Sequence, residues 1–173
     1  MIVRELELEE ADKIGMIDAT CFIKNVWRVV DGEMKLVEIN WTDHELPNGL
    51  QWHKEHFKAT IQSGGKAFGC FNGNTLIGYA TVNADMFGIC SKYVLLDQIF
   101  ISKDYRNKGI GKELFHLCVN QAKEWGADKL YICAGSSEDT IAFYIKIGCI
   151  KANEVNQKLY EEDPNDIQLE YPV

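Results

Sequence analysis

The chain has three prolines in 173 residues and no tract of low complexity. No proline-rich or glycine-serine linker divides it, and nothing repeats with a period of about 20 to 50 residues. Long apolar runs are missing too. The N-terminal MIVRELELEEADKIG places acids where a secretory leader needs a basic flank and an apolar stretch. A soluble, cytoplasmic protein is the expectation, with no membrane partner. There is no C-x-x-C pair and no His/Cys cluster. Histidine occurs only at 44, 53, 56 and 116, and although His53 and His56 are three apart on an expected helix, no third ligand accompanies them, so no metal site is expected. Basic residues are outnumbered, 18 against 26 acids, for a net charge of −8. That balance argues against nucleic acid and mildly favours a cationic partner.

What is present is enough apolar content, 46%, to bury one good core, which suits a single domain over residues 1–173. Cys21, Cys70, Cys90, Cys118, Cys133 and Cys149 sit mostly inside apolar periodic segments and read as core residues rather than a disulfide framework. Strand-like alternation near residues 2–7 leads into helical spacing from about Glu9 to Cys21. VVDGEMKLVEI, with Asp31-Gly32 between apolar runs, predicts a hairpin within 25–42, and Leu50, His53, Phe57 and Ile61 predict a helix ending at Gly64-Gly65. Lys66–Phe71 and Thr75–Ala84 read as two strands about an Asn72-Gly73 turn. A strand at Leu130, a helix near Thr140–Ile147 and one or two strands after Lys151, broken at Glu161-Glu162-Asp163-Pro164, complete the order.

The most informative run is YVLLDQIFISKDYRNKGIGKELFHLCVNQAKEWG, Tyr93 to Gly126. Leu95, Asp97, Ile99 and Ile101 alternate on one face of an expected strand. Ile110, Leu114, Leu117, Cys118, Gln121 and Trp125 recur at roughly helical spacing, so a helix begins near Lys108 or Gly109. The first turn of such a helix has unpaired N–H groups and the positive end of the helix dipole, which together stabilise an anion. Gly109 and Gly111 remove side chains that would hold a phosphate away, and Asn107 tolerates a left-handed backbone. Between Lys103 and Lys112 stand Lys103, Arg106, Lys108 and Lys112 against Asp104 alone, a local inversion of the chain's overall charge. A Walker loop is excluded because Glu113 follows Gly111-Lys112. A dinucleotide fingerprint is excluded because Leu114 stands where its third glycine belongs.

Arg106-Asn107-Lys108-Gly109-Ile110-Gly111 instead resembles the acyl-CoA loop of the GNAT acetyltransferase superfamily, Gln/Arg-x-x-Gly-x-Gly/Ala. Context strengthens the likeness: KLYICAG and SSEDTIAFYIKIGC are similar to the family's next strand and helix, and the resemblance runs from about Thr75 to Cys149, with departures at Ser137, Thr140 and Cys149. It implies a GNAT-like α/β fold, a mixed, mostly antiparallel twisted sheet with helices on both faces. It also implies acetyl-CoA as cosubstrate and transfer of its acetyl group to an amine.

On this reading the amides of Asn107, Lys108, Gly109, Ile110 and Gly111 hold the diphosphate, with charge added by Arg106, Lys108 and Lys112. The strand edge at Ile99, Phe100 and Ile101 pairs with the pantetheine arm, and Ser137 lies beside it. The cofactor enters where the strands near Ile99 and Ile132 diverge. Tyr144 matches the family position whose hydroxyl protonates the departing thiolate. Asp97 is a base candidate, or equally a structural or ammonium-binding acid, with Glu45, His44 and His53 as weaker bases. Trp27, Trp41, Trp52 and Phe57 are candidates to wall the acceptor pocket or to be core. The expected function is N-acetylation of a small-molecule primary amine; a silent acyl-CoA sensor and a peptide or protein N-acetyltransferase are the alternatives. A homodimer through the acidic C-terminal strands is a further expectation.

Overall fold

The computed structural model describes residues 1–173. Seven strands form one sheet in the order β1 (Ile2–Glu5), β4 (Lys66–Asn72), β5 (Thr75–Val82), β6 (Tyr93–Ile101), β7 (Lys129–Ala134), β9 (Ile167–Pro172) and β8 (Ile150–Lys151). All neighbours run antiparallel except β6 and β7. The remaining strands, β2 (Cys21–Val30) and β3 (Glu33–Asp43), form a separate hairpin about Asp31 and Gly32, whose φ values of 54° and 80° suit a tight turn. The expected mixed, mostly antiparallel architecture is what the chain adopts.

One sheet face carries α2 (Ile110–Glu124) and α3 (Glu138–Lys146), whose Leu114, Phe115, Cys118 and Tyr144 pack on Val94, Leu96, Leu130 and Ile132. Each such large apolar side chain contributes about 2 kcal/mol on burial. The opposite face is covered in two parts. A 3-10 segment, Leu8–Met16, and α1 (Gly49–Gln62) bring Ile14 and Phe57 onto Leu76 and Tyr79. Farther along, α4 (Gln157–Glu162) and the loop before β6 bring Leu159 and Phe87 onto Tyr93 and Tyr131. No helix is long and apolar enough to cross a membrane.

Four sequence expectations are corrected. The first helix is a 3-10 turn that stops at Met16 instead of reaching Cys21, because Asp18 to Thr20 are drawn onto the β6–α2 loop by Asp18 N–H to Ser102 Oγ (3.1 Å) and Lys103 N–H to the Asp18 carbonyl (2.8 Å). The β4–β5 turn is Gly73-Asn74, since Asn72 still pairs with Thr75. Cys90 is exposed in a loop and Cys21 and Cys133 are half-buried; only Cys70, Cys118 and Cys149 belong to the core, and all six are free. The C-terminal region holds the helix α4 ahead of a single strand β9, which lies between β7 and the two-residue β8.

Candidate active site

The segment joining β6 to α2 behaves as its composition requires. Asn107 and Gly109 adopt positive φ, 60° and 85°, so the amides of successive residues turn inward as a concave nest. The amides of Asn107, Lys108, Gly109, Ile110, Gly111 and Lys112 find no carbonyl or side-chain acceptor in the protein, and Gly109 caps α2 without a side-chain bond. A Cβ on Gly109 would meet nothing within 4 Å. Its glycine is needed for backbone conformation, and the space beside it is open. Gly111 differs: its φ is ordinary, and a Cβ there would lie 3.3 Å from Phe143 Cε2. It lets α2 approach α3 rather than admitting a ligand.

Arg106 is not a free cation of this loop. Its Nε donates to the Ile101 carbonyl (3.0 Å), and its two terminal nitrogens to those of Thr20 (2.9 Å) and Ala19 (3.0 Å). The guanidinium ties the loop to the chain after the 3-10 segment. Lys108 lies 5.1 Å from the Tyr105 ring centroid, and Lys112 is exposed. Ile110 contributes its amide only, because its side chain is buried in the core.

Beyond the loop, β6 and β7 part. Their parallel pairing runs from Tyr93–Lys129 to Leu96–Ile132 and then ends, although both strands continue. At the same point β6 bulges: Val82 faces Leu96 and Thr81 faces Gln98, leaving Asp97 as the extra residue. The bulge overturns the expectation that Leu95, Asp97, Ile99 and Ile101 share a face. Before it, Leu96 faces α2 and Leu95 faces Tyr131; after it, Ile99 and Ile101 face α2. Ser102 N–H bonds the Ile77 carbonyl (2.9 Å). By the alternation of an antiparallel ladder, Phe100 then bonds β5 while Ile99 and Ile101 turn their backbone groups away from it toward the gap, where Arg106 already holds the Ile101 carbonyl. Phe100 is thereby corrected as a gap residue: its ring packs edge-on to His53, 4.9 Å between centroids.

Tyr144 of α3 is buried between Phe115 and Phe143. The enclosed side-chain atoms lacking a partner are Thr81 Oγ1 and Gln168 Nε2; the Tyr144 hydroxyl is not among them, though nothing in the protein bonds it, so its oxygen keeps a small exposure to solvent. Burial raises its pKa far above that of a free phenol. Cys133, the first β7 residue past the parting, is pushed up to about 12 by burial, with Asp166, Glu162, Asp97 and Asp163 adding to the effect. Asp97 is itself raised, chiefly by burial, with His56 the leading opposing charge. Asp166 is raised to about 6 by burial and by Asp163. Ser137 spends its hydroxyl on α3, accepting from Thr140 N–H (3.2 Å) and donating to Thr140 Oγ1 (2.7 Å).

The N-terminal half supplies the far wall. The β2–β3 hairpin lies on the β7–α3 connection through Trp27 N–H to the Ser136 carbonyl (2.8 Å) and Asn25 Nδ2 to Glu138 (2.7 Å). Under α1, Tyr79 donates to Gln98 Oε1 (2.8 Å) and lies 3.0 Å from His53 Nδ1, while His53 Nε2 donates to the Pro47 carbonyl (2.8 Å). His53 is thus an enclosed structural group, lowered in pKa mainly by burial. Phe57 is core and Trp41 is exposed on the hairpin, so neither walls a pocket near Asp97; Trp52 does face that region, stacked on His56. His44 and Glu45 line a separate cavity of about 330 Å³ with Asp18, Ile14 and Leu50. The carboxylates of α4 and the turn after it were legible only as a chain break, because nothing local in Glu162 to Asp166 signals that β9 returns beside β7.

The fold resembles solved acetyltransferases. Nourseothricin acetyltransferase is 17% identical with a TM-score of 0.74, covering 99% of this chain and 97% of that one. A candidate streptothricin acetyltransferase of Bacillus anthracis, in complex with acetyl coenzyme A, is 16% identical with a TM-score of 0.70 and covers 98% and 95%. The PaiA N-acetyltransferase of Thermoplasma acidophilum, in complex with coenzyme A, is 18% identical with a TM-score of 0.62 and covers 99% and 98%. No curated protein sequence matches. Residues 33–149 match the acetyltransferase (GNAT) family, and the span includes the amide nest, the bulged strand and the helix carrying Tyr144: the chain belongs to that family.

Proposed function

We propose that the protein is an acetyl-CoA-dependent N-acetyltransferase that acetylates a primary amine of a small molecule by direct attack on the thioester. The observation that carries this is the run of unpaired amides from Asn107 to Lys112 at the start of α2, on the strand-to-helix connection that follows the parting of β6 from β7. The cosubstrate supplies an activated acetyl group. The amide nest and the start of α2 hold its diphosphate, aided by Lys103, Lys108 and Lys112. Arg106 acts by fixing the loop. Ile99 offers its N–H and carbonyl to the amide-rich arm and Ile101 its N–H, the Ile101 carbonyl being held by Arg106, and an N–H there stabilises the oxyanion that forms on attack. Ser137 orders the start of α3 beside them. Tyr144 protonates the leaving sulfur.

Direct attack is favoured over an acyl-cysteine because burial raises the pKa of Cys133, just past the parting of the strands, and of Cys118 and Cys149 in the core beside Tyr144, so these thiols stay protonated at neutral pH. A cationic acceptor suits the carboxylates of Asp97, Glu162, Asp163 and Asp166, all of which act on Cys133. A small-molecule acceptor draws support from the neighbours named for nourseothricin and streptothricin. The test is calorimetric titration with acetyl-CoA, followed by measurement of thiol release with a panel of amines. Saturable binding and amine-dependent thiol are expected. Binding without any amine-dependent thiol would reduce the protein to an acyl-CoA sensor.

A further inference from the structure

We propose that His56 on α1 is the group that takes the proton from the acceptor amine, with Asp97 seated to hold the resulting imidazolium. The inference rests on the acetyltransferase reading and adds a residue to it. Two contacts fix how α1 lies on the sheet. His53 sits on Gln98 and Tyr79. Two turns later Thr60 Oγ1 donates to Asn83 Oδ1 (2.7 Å), and Asn83 N–H bonds the Leu95 carbonyl (2.9 Å). Residue 56, three after 53 on the same flank, therefore falls over the stretch between Gln98 and Leu95, where the bulge places Asp97.

The ring is fixed in a useful form. His56 Nδ1 is 2.9 Å from the Trp52 carbonyl, which only accepts, so Nδ1 carries the hydrogen and Nε2 keeps its lone pair. The Trp52 indole lies flat against the imidazole, 3.5 Å between centroids at 21°. The charged groups acting on this spot are Asp97 from β6, Glu162 from the end of α4 and His53 one turn back on α1.

The step balances as follows. The acceptor ammonium gives one proton to Nε2 and becomes an amine. Its nitrogen lone pair forms the C–N bond, the C–S pair leaves with sulfur, Tyr144 delivers its proton to the thiolate, and the nitrogen's second proton passes through solvent to restore the Tyr144 hydroxyl. His56 returns its proton to water. Ammonium and thioester become amide, thiol and one released proton.

His56→Asn tests this, because the asparagine amide can still donate to the Trp52 carbonyl while Nε2 is lost. Acetyl-CoA affinity is measured by calorimetry. Rates are measured by thiol release across pH with whichever of spermidine, lysine and kanamycin the wild type turns over fastest. Affinity within twofold of wild type, a kcat/KM about a hundredfold lower and loss of the acid limb of the pH profile are expected. A variant within threefold of wild type, or one keeping that limb, overturns the proposal. Long-range proton–nitrogen spectra decide the matter independently of turnover: hydrogen on Nε2 of the neutral His56 ring also overturns it. A wild type that fails to bind acetyl-CoA would instead sink the underlying reading.

Discussion

The amide nest depends on the backbone sign at one residue, and Gly109→Ala isolates that dependence. Gly109 sits at φ 85° and ψ −9° with open space where a Cβ would project. The penalty for alanine therefore comes from its own backbone, about 1 to 2 kcal/mol in the left-handed region. Asn107 to Gly109 are exposed, so little packing enforces the strained conformation and the loop should relax, turning its amides outward. If the cost falls on binding, the dissociation constant for acetyl-CoA rises about five- to thirtyfold. Titration calorimetry reads this directly, and thermal melting shows any part absorbed by the fold. Gly111→Ala is the internal comparison: its φ is ordinary, and Phe143 need yield only a few tenths of an ångström. Affinity within twofold of wild type and a slightly lower melting temperature are expected there. Wild-type affinity and melting in Gly109→Ala, or an equal loss of affinity in Gly111→Ala, would refute the idea that left-handed geometry aims these amides.

Tyr144→Phe removes a hydroxyl that nothing in the protein bonds, so melting should be unchanged while kcat falls about a hundredfold; an unchanged kcat removes Tyr144 as the acid. Asp166→Asn should stabilise the fold at pH 8 and leave it unaltered near pH 4. The folded carboxyl is raised to about 6 from an ordinary 3.8, so its ionisation penalty grows as pH rises between those two values and is fully present above 6, about 1 to 2 kcal/mol once solvent screening is allowed for. Equal melting temperatures at pH 8 would contradict this. Glu170→Ala leaves Lys129 Nζ, Tyr93 Oη and the Asn153 amide without the carboxylate they now bond at 2.7, 2.7 and 3.0 Å. A loss of about 3 to 5 kcal/mol in denaturant unfolding is expected. Burial penalises that carboxylate, but its bonds to Lys129, Tyr93 and Asn153 outweigh the penalty and hold its pKa below the ordinary value. Its stabilisation is therefore present above about pH 4.5 and fades as pH falls.

Local physics made much of this protein legible. The β2–β3 hairpin follows from Asp31-Gly32, the end of α1 from Gly64-Gly65, and the nest from Asn107 and Gly109, because each feature is set by residues adjacent in sequence. The failures lie where distant segments decide. Arg106 looked like a phosphate ligand because charge alone is visible in a sequence; its three carbonyl partners include two that come from residues 19 and 20, more than eighty positions away. Helical spacing after Glu9 was overridden by the bonds that draw Asp18 onto Ser102 and Lys103.

The bulge at Asp97 is the most consequential case. Period-2 reasoning assigns odd residues of β6 to one face throughout, which would bury Asp97 in line with Ile99 and Ile101. One extra residue resets the phase: Leu96 and then Ile99 face the α2 side, while Gln98 and Phe100 turn to α1 and engage Tyr79 and His53. The same insertion coincides with the end of β6–β7 pairing, so the strand gains free backbone groups toward the gap just where its carboxylate comes under the influence of His56. Deleting Asp97 would join Leu96 to Gln98 in an unbroken ladder with Leu95, Leu96, Ile99 and Ile101 on the faces they already occupy, so the deletion is expected to fold. Asp97→Ala keeps the register and removes only the acid. If the deletion failed to fold while Asp97→Ala melted normally, Asp97 would not be the single extra residue between the two faces of β6.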